Sequence, residues 1–268
     1  MPFPRSSIRA VIAAAGLFST AALAFAAGYA ERGNPLRLGM AHVPPPYQAG
    51  TKFRTPEAID LTLAENAAKT AQASLKTVRT DSTKGRELLA AGKLDALITS
   101  LSPSGKLDRG DLAIRTGYAA RPMAIMRTDT TIKTADQLRG RKVCVSEGGP
   151  YVGMLASKYG ALETVAKAPA DSLLAVRTGA CDAAVHDSAI LEELIKLPEW
   201  KKFSASLYLG PAVEQSIVVR RDDTRTLNAV KTAANEWQRS GFINEEIKRM
   251  VRHIAFEVYL DQNVPDCH

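Results

Sequence analysis

Two stretches of this chain echo each other. Leu88–Thr99 reads LLAAGKLDALIT, and Leu173–Asp187 reads LLAVRTGACDAAVHD. In each, an apolar helix end meets a glycine, then an Asp-Ala step, then a compact apolar run. Gly92 and Gly179 suit helix C-termini, because glycine enters the left-handed conformation without a Cβ penalty. Ala96–Thr99 and Ala183–His186 are short and mostly apolar, as in strands covered on both faces. Both end in polar residues: Thr99, Ser100 and Ser102 in the first, His186 and Asp187 in the second. Ligands of open α/β sheets sit beyond the carboxyl ends of strands. Two such edges in one chain predict an α/β fold of two similar lobes facing each other across a cleft.

The remaining elements fit this plan. Leu36–Met40 reads as a first strand, followed by a loop stiffened by Pro44–Pro46, since proline cannot continue a ladder. Thr55-Pro56-Glu57 looks like a helix start with a Thr cap, proline in the first turn and an acid beside it. Leu75–Arg79 reads as a strand, Gly85–Ala91 as a helix, and Met123–Met126 as a strand leaving the first lobe. A helix at Thr134–Leu138, the strand Lys142–Val145 and a helix near Tyr151–Lys158 follow. Gln215–Val219 is then the return crossing, and two amphipathic helices, Asp223–Ser240 and Asn244–Val251, close the chain. This divides it into lobe one, 34–122 plus 217–268, and lobe two, 123–216.

The N-terminus has Arg5 and Arg9 before the apolar stretch Ala10–Leu23, and then Ala24-Phe25-Ala26 with A-x-A spacing. That pattern predicts a secretory signal peptide, residues 1–26. The alternative is a membrane anchor, since the run to Ala27 approaches spanning length. Loss of residues 1–26 removes two arginines and no acid, leaving +5 of the formal +7 charge. The basic residues are scattered among acids, whereas a nucleic-acid surface needs a clustered basic face with aromatics. An exported chain permits a disulfide. If the strands carrying Cys144 and Cys181 neighbour each other, those two can bridge, leaving Cys267 over. His42 and His186 lack the spacing and companions of metal ligands, so neither a metal nor a cofactor is expected.

In the order and spacing of LRLGM, GKLDALITSLS, DQLRGRKVCVSEGG, RTGACDAAVHD, QSIVVRRDD and WQRSGFINEEIKRM, the chain resembles the periplasmic solute-binding proteins of ABC transporters. The polar amino-acid-binding type (solute-binding protein family 3) is nearest, and this chain is a divergent example. The resemblance implies a type II fold, two lobes joined by a two-strand hinge. It implies a monomer that closes on a small polar ligand, an amino acid or a related amine or organic acid, and hands it to permease subunits at the inner membrane.

Carried over position by position, the resemblance makes Thr99, Ser100 and Ser102 hydroxyl contacts to the ligand, although Ser and Thr also cap turns. It makes Asp187 the acceptor of a ligand ammonium through a charge-assisted hydrogen bond, or else the N-cap of a helix over Ser188–Ile195. Tyr47 is placed to stack on the ligand or to pack on its proline loop. The chain also departs from the pattern. Leu107 stands where the family has a carboxylate-clamping arginine, and Lys106 or Arg109 would have to substitute. Gly148-Gly149-Pro150-Tyr151 replaces a glycine followed by Ser or Thr. Its N–H groups open a helix and could hold an anion, with Pro150 removing one donor, or the segment is a plain turn. Gly148, Gly149 and Tyr151 are therefore candidate ligand residues.

Three function classes follow: a transport binding protein, an accessory or sensor protein on the same fold, and a dehydratase-like enzyme using Glu147. No Ser/His/Asp order or paired-carboxylate motif supports the third, so a non-enzyme is expected.

Overall fold

The computed structural model describes residues 33–46, 49–101 and 107–262. The expected signal peptide, Tyr47, Ser102, Lys106 and Cys267 lie outside the described residues.

The chain runs β1 (Gly33–Met40), α1 (Asp60–Thr70), β2 (Ala73–Arg79), α2 (Ser82–Ala90), β3 (Ala96–Leu101), β4 (Asp111–Ala120) and β5 (Pro122–Met126). It continues through β6 (Lys142–Ser146), α3 (Met154–Tyr159), β7 (Leu162–Ala166), α4 (Pro169–Arg177), β8 (Ala183–Asp187), α5 (Ser188–Leu194) and β9 (Ala205–Tyr208). The strand β10 (Val213–Arg220) and the helices α6 (Thr224–Ser240) and α7 (Phe242–Asp261) end it. Short 3₁₀ helices occupy Ala135–Leu138 and Pro198–Phe203.

The two sheets have like orders, β2-β1-β3-β10-β4 and β7-β6-β8-β5-β9. In each, the first three strands are parallel and the last two antiparallel. The echo has a structural meaning here: β3 and β8 both hold the third place. Each follows a helix that ends before a glycine with positive φ, 67° at Gly92 and 77° at Gly179. Their side chains are sealed, with Ala96, Leu97, Ala183, Ala184 and Val185 at 1% exposure or less. Burying such aliphatic side chains stabilises by about 1.5–3 kcal/mol each for the larger ones.

Because β6 and β8 pair in register at Cys144 and Ala184, the Cys144–Cys181 disulfide forms, with Cα atoms 6.0 Å apart. That separation is within the ordinary range. The bond ties β6 to the residues leading into β8.

Several elements differ from expectation. The passages between sheets are not the strands Met123–Met126 and Gln215–Val219. Instead, β5 lies wholly in the second sheet and β10 in the first, and the chain passes at Arg121 and at 209–212. The segment Thr55-Pro56-Glu57 does not open a helix. The helix α1 begins at Asp60, and Thr55 donates its N–H (2.9 Å) and hydroxyl (2.6 Å) to the carboxylate of Glu257. The last helix is 20 residues rather than eight. Its buried stripe, Ile243, Ile247, Met250, Val251, Ile254 and Val258, keeps the helical period beyond Val251. It packs on α4 and α5, which flank the second sheet. One apolar cluster consequently runs from Leu38 and Leu63 through Ile125 to Leu191 and Trp200. Against α1, Trp237 of α6 donates its indole N–H to Asn66 at 2.6 Å.

Candidate functional site

A cleft of about 610 Å³ opens where the carboxyl ends of β1, β2 and β3 face the second sheet. Of the sequence-derived residues, Thr99, Ser100, Gly148, Gly149, Tyr151 and Asp187 line it together. The pattern had not singled out Glu57, Asp60, Arg79, Tyr118 or Gln215, which line it as well.

Three carboxylates form the floor. Asp187, 8% exposed, accepts from Tyr118 at 2.6 Å and from Tyr151 at 2.5 Å. Tyr118 belongs to β4 of the first sheet, so this carboxylate joins the two lobes. Its helix-capping alternative is not realised, since the Asp187 side chain makes no cap bond to α5. Asp60 accepts from the Gln215 amide at 2.5 Å. Glu57 accepts from the Ser146 hydroxyl and lies 2.9 Å from Nδ1 of His186, whose Nε2 lies 2.5 Å from Ser172. Ser172, His186 and Glu57 thus stand in the order of a hydrolase triad. Ser172 is fully buried in α4 and does not reach the cleft. The trio therefore pins Glu57 in place and offers no accessible nucleophile.

Crowding carboxylates in a desolvated floor raises the proton affinity of Asp60 and Asp187. Burial, followed by the charge of Asp187, pushes the pKa of Asp60 up to about 6, with the Gln215 bond opposing. Burial, followed by the charge of Glu57, pushes Asp187 up to about 6, with both tyrosine bonds opposing. Burial and the adjacent carboxylate hold both phenols well above their usual range, so they remain donors. At the cleft wall, burial and then the nearby Arg79 charge lower the pKa of His42. Two oxygens of lining residues, Glu57 Oε1 and Gln215 Oε1, are buried without a hydrogen-bond partner.

The glycine segment has a steric cause. Gly148 has φ +78°, and a Cβ there would stand 2.3 Å from the His42 ring. A Cβ on Gly149 would stand 2.8 Å from Glu57 Oε2. The loop of the second lobe is thus pressed onto the first, which leaves no room for Ser or Thr. The helix it opens, α3, does not present free N–H groups to an anion as expected. Gly153, Leu155 and Ala156 N–H groups donate to the Glu163 carboxylate at 2.5, 3.2 and 3.3 Å.

At the position expected to hold the clamp, Leu107 packs on the apolar cluster of Leu89, Leu94, Leu97 and Val218. Arg109 is exposed and does not line the cleft. The missed residues carried a usable signal. Arg79 ends β2, and Glu57 and Asp60 follow β1, so the carboxyl-edge rule applied to every strand finds them. Among the described residues no group of three or more His, Cys, Asp or Glu is arranged to hold a metal ion. Among them, too, no helix is long and apolar enough to cross a membrane.

No family model matches the sequence, and no curated protein does. Solved structures do match. An ancestral cationic amino acid solute-binding protein, AncCDT-1, aligns with TM-score 0.56 and 19% identity over 82% of this chain and 96% of that one. A mutant of ArgBP from T. maritima aligns with TM-score 0.52 and 21% identity over 84% and 96%. The GluR0 ligand-binding core in complex with L-glutamate aligns with TM-score 0.52 and 16% identity over 81% and 98%. The chain therefore has the two-lobed α/β fold of the periplasmic binding proteins. The resemblance read in the sequence is met at the level of the fold.

Proposed function

We propose that this protein is the periplasmic binding component of an ABC importer and takes a small polar ligand bearing an amine into its inter-lobe cleft. The observation carrying this reading is the floor of Glu57, Asp60 and Asp187. No lysine or arginine is bonded to any of the three among the described residues, and two buried oxygens beside them lack donors. A donor-only cation such as an ammonium supplies what that floor lacks. Thr99, Ser100 and Tyr151 complete the polar lining. The lobes built on the first and second sheets close on the solute, residues 1–26 direct export, and the monomer docks on permease subunits. Neighbours of the fold described as solute-binding proteins support a binding role and not an enzymatic one.

A second reading, an accessory or sensor protein with fixed lobes, draws on the apolar cluster that runs through both lobes and on the packing of α7 against α4 and α5.

A thermal-shift screen of amino acids, amines, dicarboxylates and aromatic acids separates the two. A ligand at a hundred times its Kd stabilises by about 2.7 kcal/mol. Hits confined to amines, weakened at least about tenfold in Asp187→Ala as a charged hydrogen bond requires, sustain the transport reading. Silence across the panel favours the accessory one.

A further inference from the structure

The cleft floor explains a cation, and the wall explains where an anion on the same ligand goes. We propose that Arg79 is the specificity residue that holds the ligand's carboxylate, and that the ligand is an extended zwitterion. This rests on the amine-binding reading above. Arg79 is the only lysine or arginine among the described residues lining the cleft. It is exposed at the carboxyl end of β2, with no acid hydrogen-bonded or ion-paired to it among the described residues. Several arginines elsewhere on the surface have such a partner, as Arg37 has Asp95, Arg54 has Asp171, and Arg115 has Glu214.

The other anion donors nearby are occupied by the chain itself. The N-terminus of α2 gives its Thr83 and Lys84 N–H groups to Asp81, both at 2.8 Å. The N-terminus of α3 is taken by Glu163. A guanidinium fork matches a carboxylate with two parallel bonds, and Arg79 lines the cleft.

The topology sets the length. Arg79 ends β2, one outer strand of the first sheet, while Asp187 is held by Tyr118 of β4, the other outer strand. Four strand spacings make about 19 Å between those strands. Side chains stand roughly perpendicular to a sheet, so they close only part of that distance. A ligand touching both ends therefore carries its charges several bonds apart, as an ω-amino acid or a short peptide does.

The test is calorimetric titration of the purified protein at pH 7.5 with 6-aminohexanoate, hexylamine, hexanoate and alanine. The expectation is that 6-aminohexanoate binds at least about tenfold more tightly than hexylamine or alanine, the worth of one well-made charged contact. In Arg79→Gln the preference over hexylamine disappears, and hexylamine binds no more weakly than before, because a nearby cation repels it. Arg79→Lys keeps part of the preference. Unchanged 6-aminohexanoate affinity in Arg79→Gln overturns the assignment while leaving the amine reading intact. Alanine binding as tightly as 6-aminohexanoate overturns the extended-ligand part. No binding by any amine removes the reading on which the assignment rests and the assignment with it.

Discussion

Replacing Asp60 by asparagine isolates the electrostatic strain of the cleft floor. The substitution keeps the side-chain oxygen that accepts from Gln215 at 2.5 Å and removes only the charge. In the folded protein Asp60 has its pKa pushed from 3.8 up to about 6, first by burial and then by the Asp187 charge. The folded state therefore binds more protons than the unfolded chain between about pH 4 and pH 6. Stability then falls as pH rises through that window, and the loss is complete above it. A rise of that size corresponds to about 3 kcal/mol. Asp60→Asn should regain most of it at pH 7.5 and nothing at pH 4. For a protein of this length about 3 kcal/mol shifts the melt by about 6–12 °C. Melts of both proteins from pH 4 to pH 8 should converge at the acid end and separate through pH 6, with the variant higher. A gain of equal size at both pH values would refute the argument, because it would point to packing rather than charge. So would a variant no more stable than the parent at pH 7.5. The effect should be less than additive with Asp187→Asn, since the Asp187 charge is one cause of the rise at Asp60.

Three further variants probe the glycine loop and the second lobe. Gly148→Ala should lower stability by more than about 2 kcal/mol, combining the left-handed backbone penalty with the 2.3 Å approach to His42. Gly153→Ala, at φ +82° with nothing within 4 Å of its Cβ, should cost only the backbone part, and equal melts would mean that the His42 contact is not felt. Removing the disulfide by Cys144→Ala and Cys181→Ala releases a closure over 37 residues. Chain entropy puts that at about 4 kcal/mol as an upper figure. Reductant should destabilise the parent and leave the double variant unmoved, as read by melts with and without it.

What the sequence disclosed follows from range. The echo located β3 and β8, because a helix end, a glycine and a sealed strand are all local signals, and the polar edges Thr99, Ser100 and Asp187 came with them. The strand β4 escaped notice. Its run, DLAIRTGYAA, has Arg115, Thr116 and Gly117 in the middle, and its register with β10 is broken between Glu214 and Ser216. The last helix was read short because Arg252 and His253 interrupt the apolar run, although Ile254 and Val258 continue its face. The start of α1 was misplaced for a different reason. Thr55 has the chemistry of a cap, but its hydroxyl partner is Glu257, 202 residues away. With Thr55-Pro56-Glu57 assigned to a helix, Glu57 reads as a first-turn acid and not as part of the floor of a cleft. The first N–H groups of the helix after the glycine loop, Gly153, Leu155 and Ala156, are taken by Glu163 of β7, a partner outside the motif.

In the proposed reading, closure of the lobes balances terms of similar size. Tyr118 to Asp187, Glu57 to Ser146 and His186, and Arg54 to Asp171 each join an element of the first lobe to one of the second. Bonds to a charged group contribute about 1.5–3 kcal/mol each, so these four, each ending on a carboxylate, together contribute about 6–12 kcal/mol. Opposing them, two carboxylates held at about 6 instead of 3.8 cost about 3 kcal/mol each above pH 6. The two sides lie within a few kcal/mol of each other. A ligand acts only through its difference in affinity between open and closed states, and about 5.5 kcal/mol moves a two-state equilibrium from 1:99 to 99:1. An ammonium that relieves the repulsion among Glu57, Asp60 and Asp187 supplies a difference of that order in the closed state alone. In the proposed reading the strained floor turns the arrival of one positive charge into closure, and the prediction that follows is that ligand-driven closure fades as pH falls below 6, where protons do the neutralising instead.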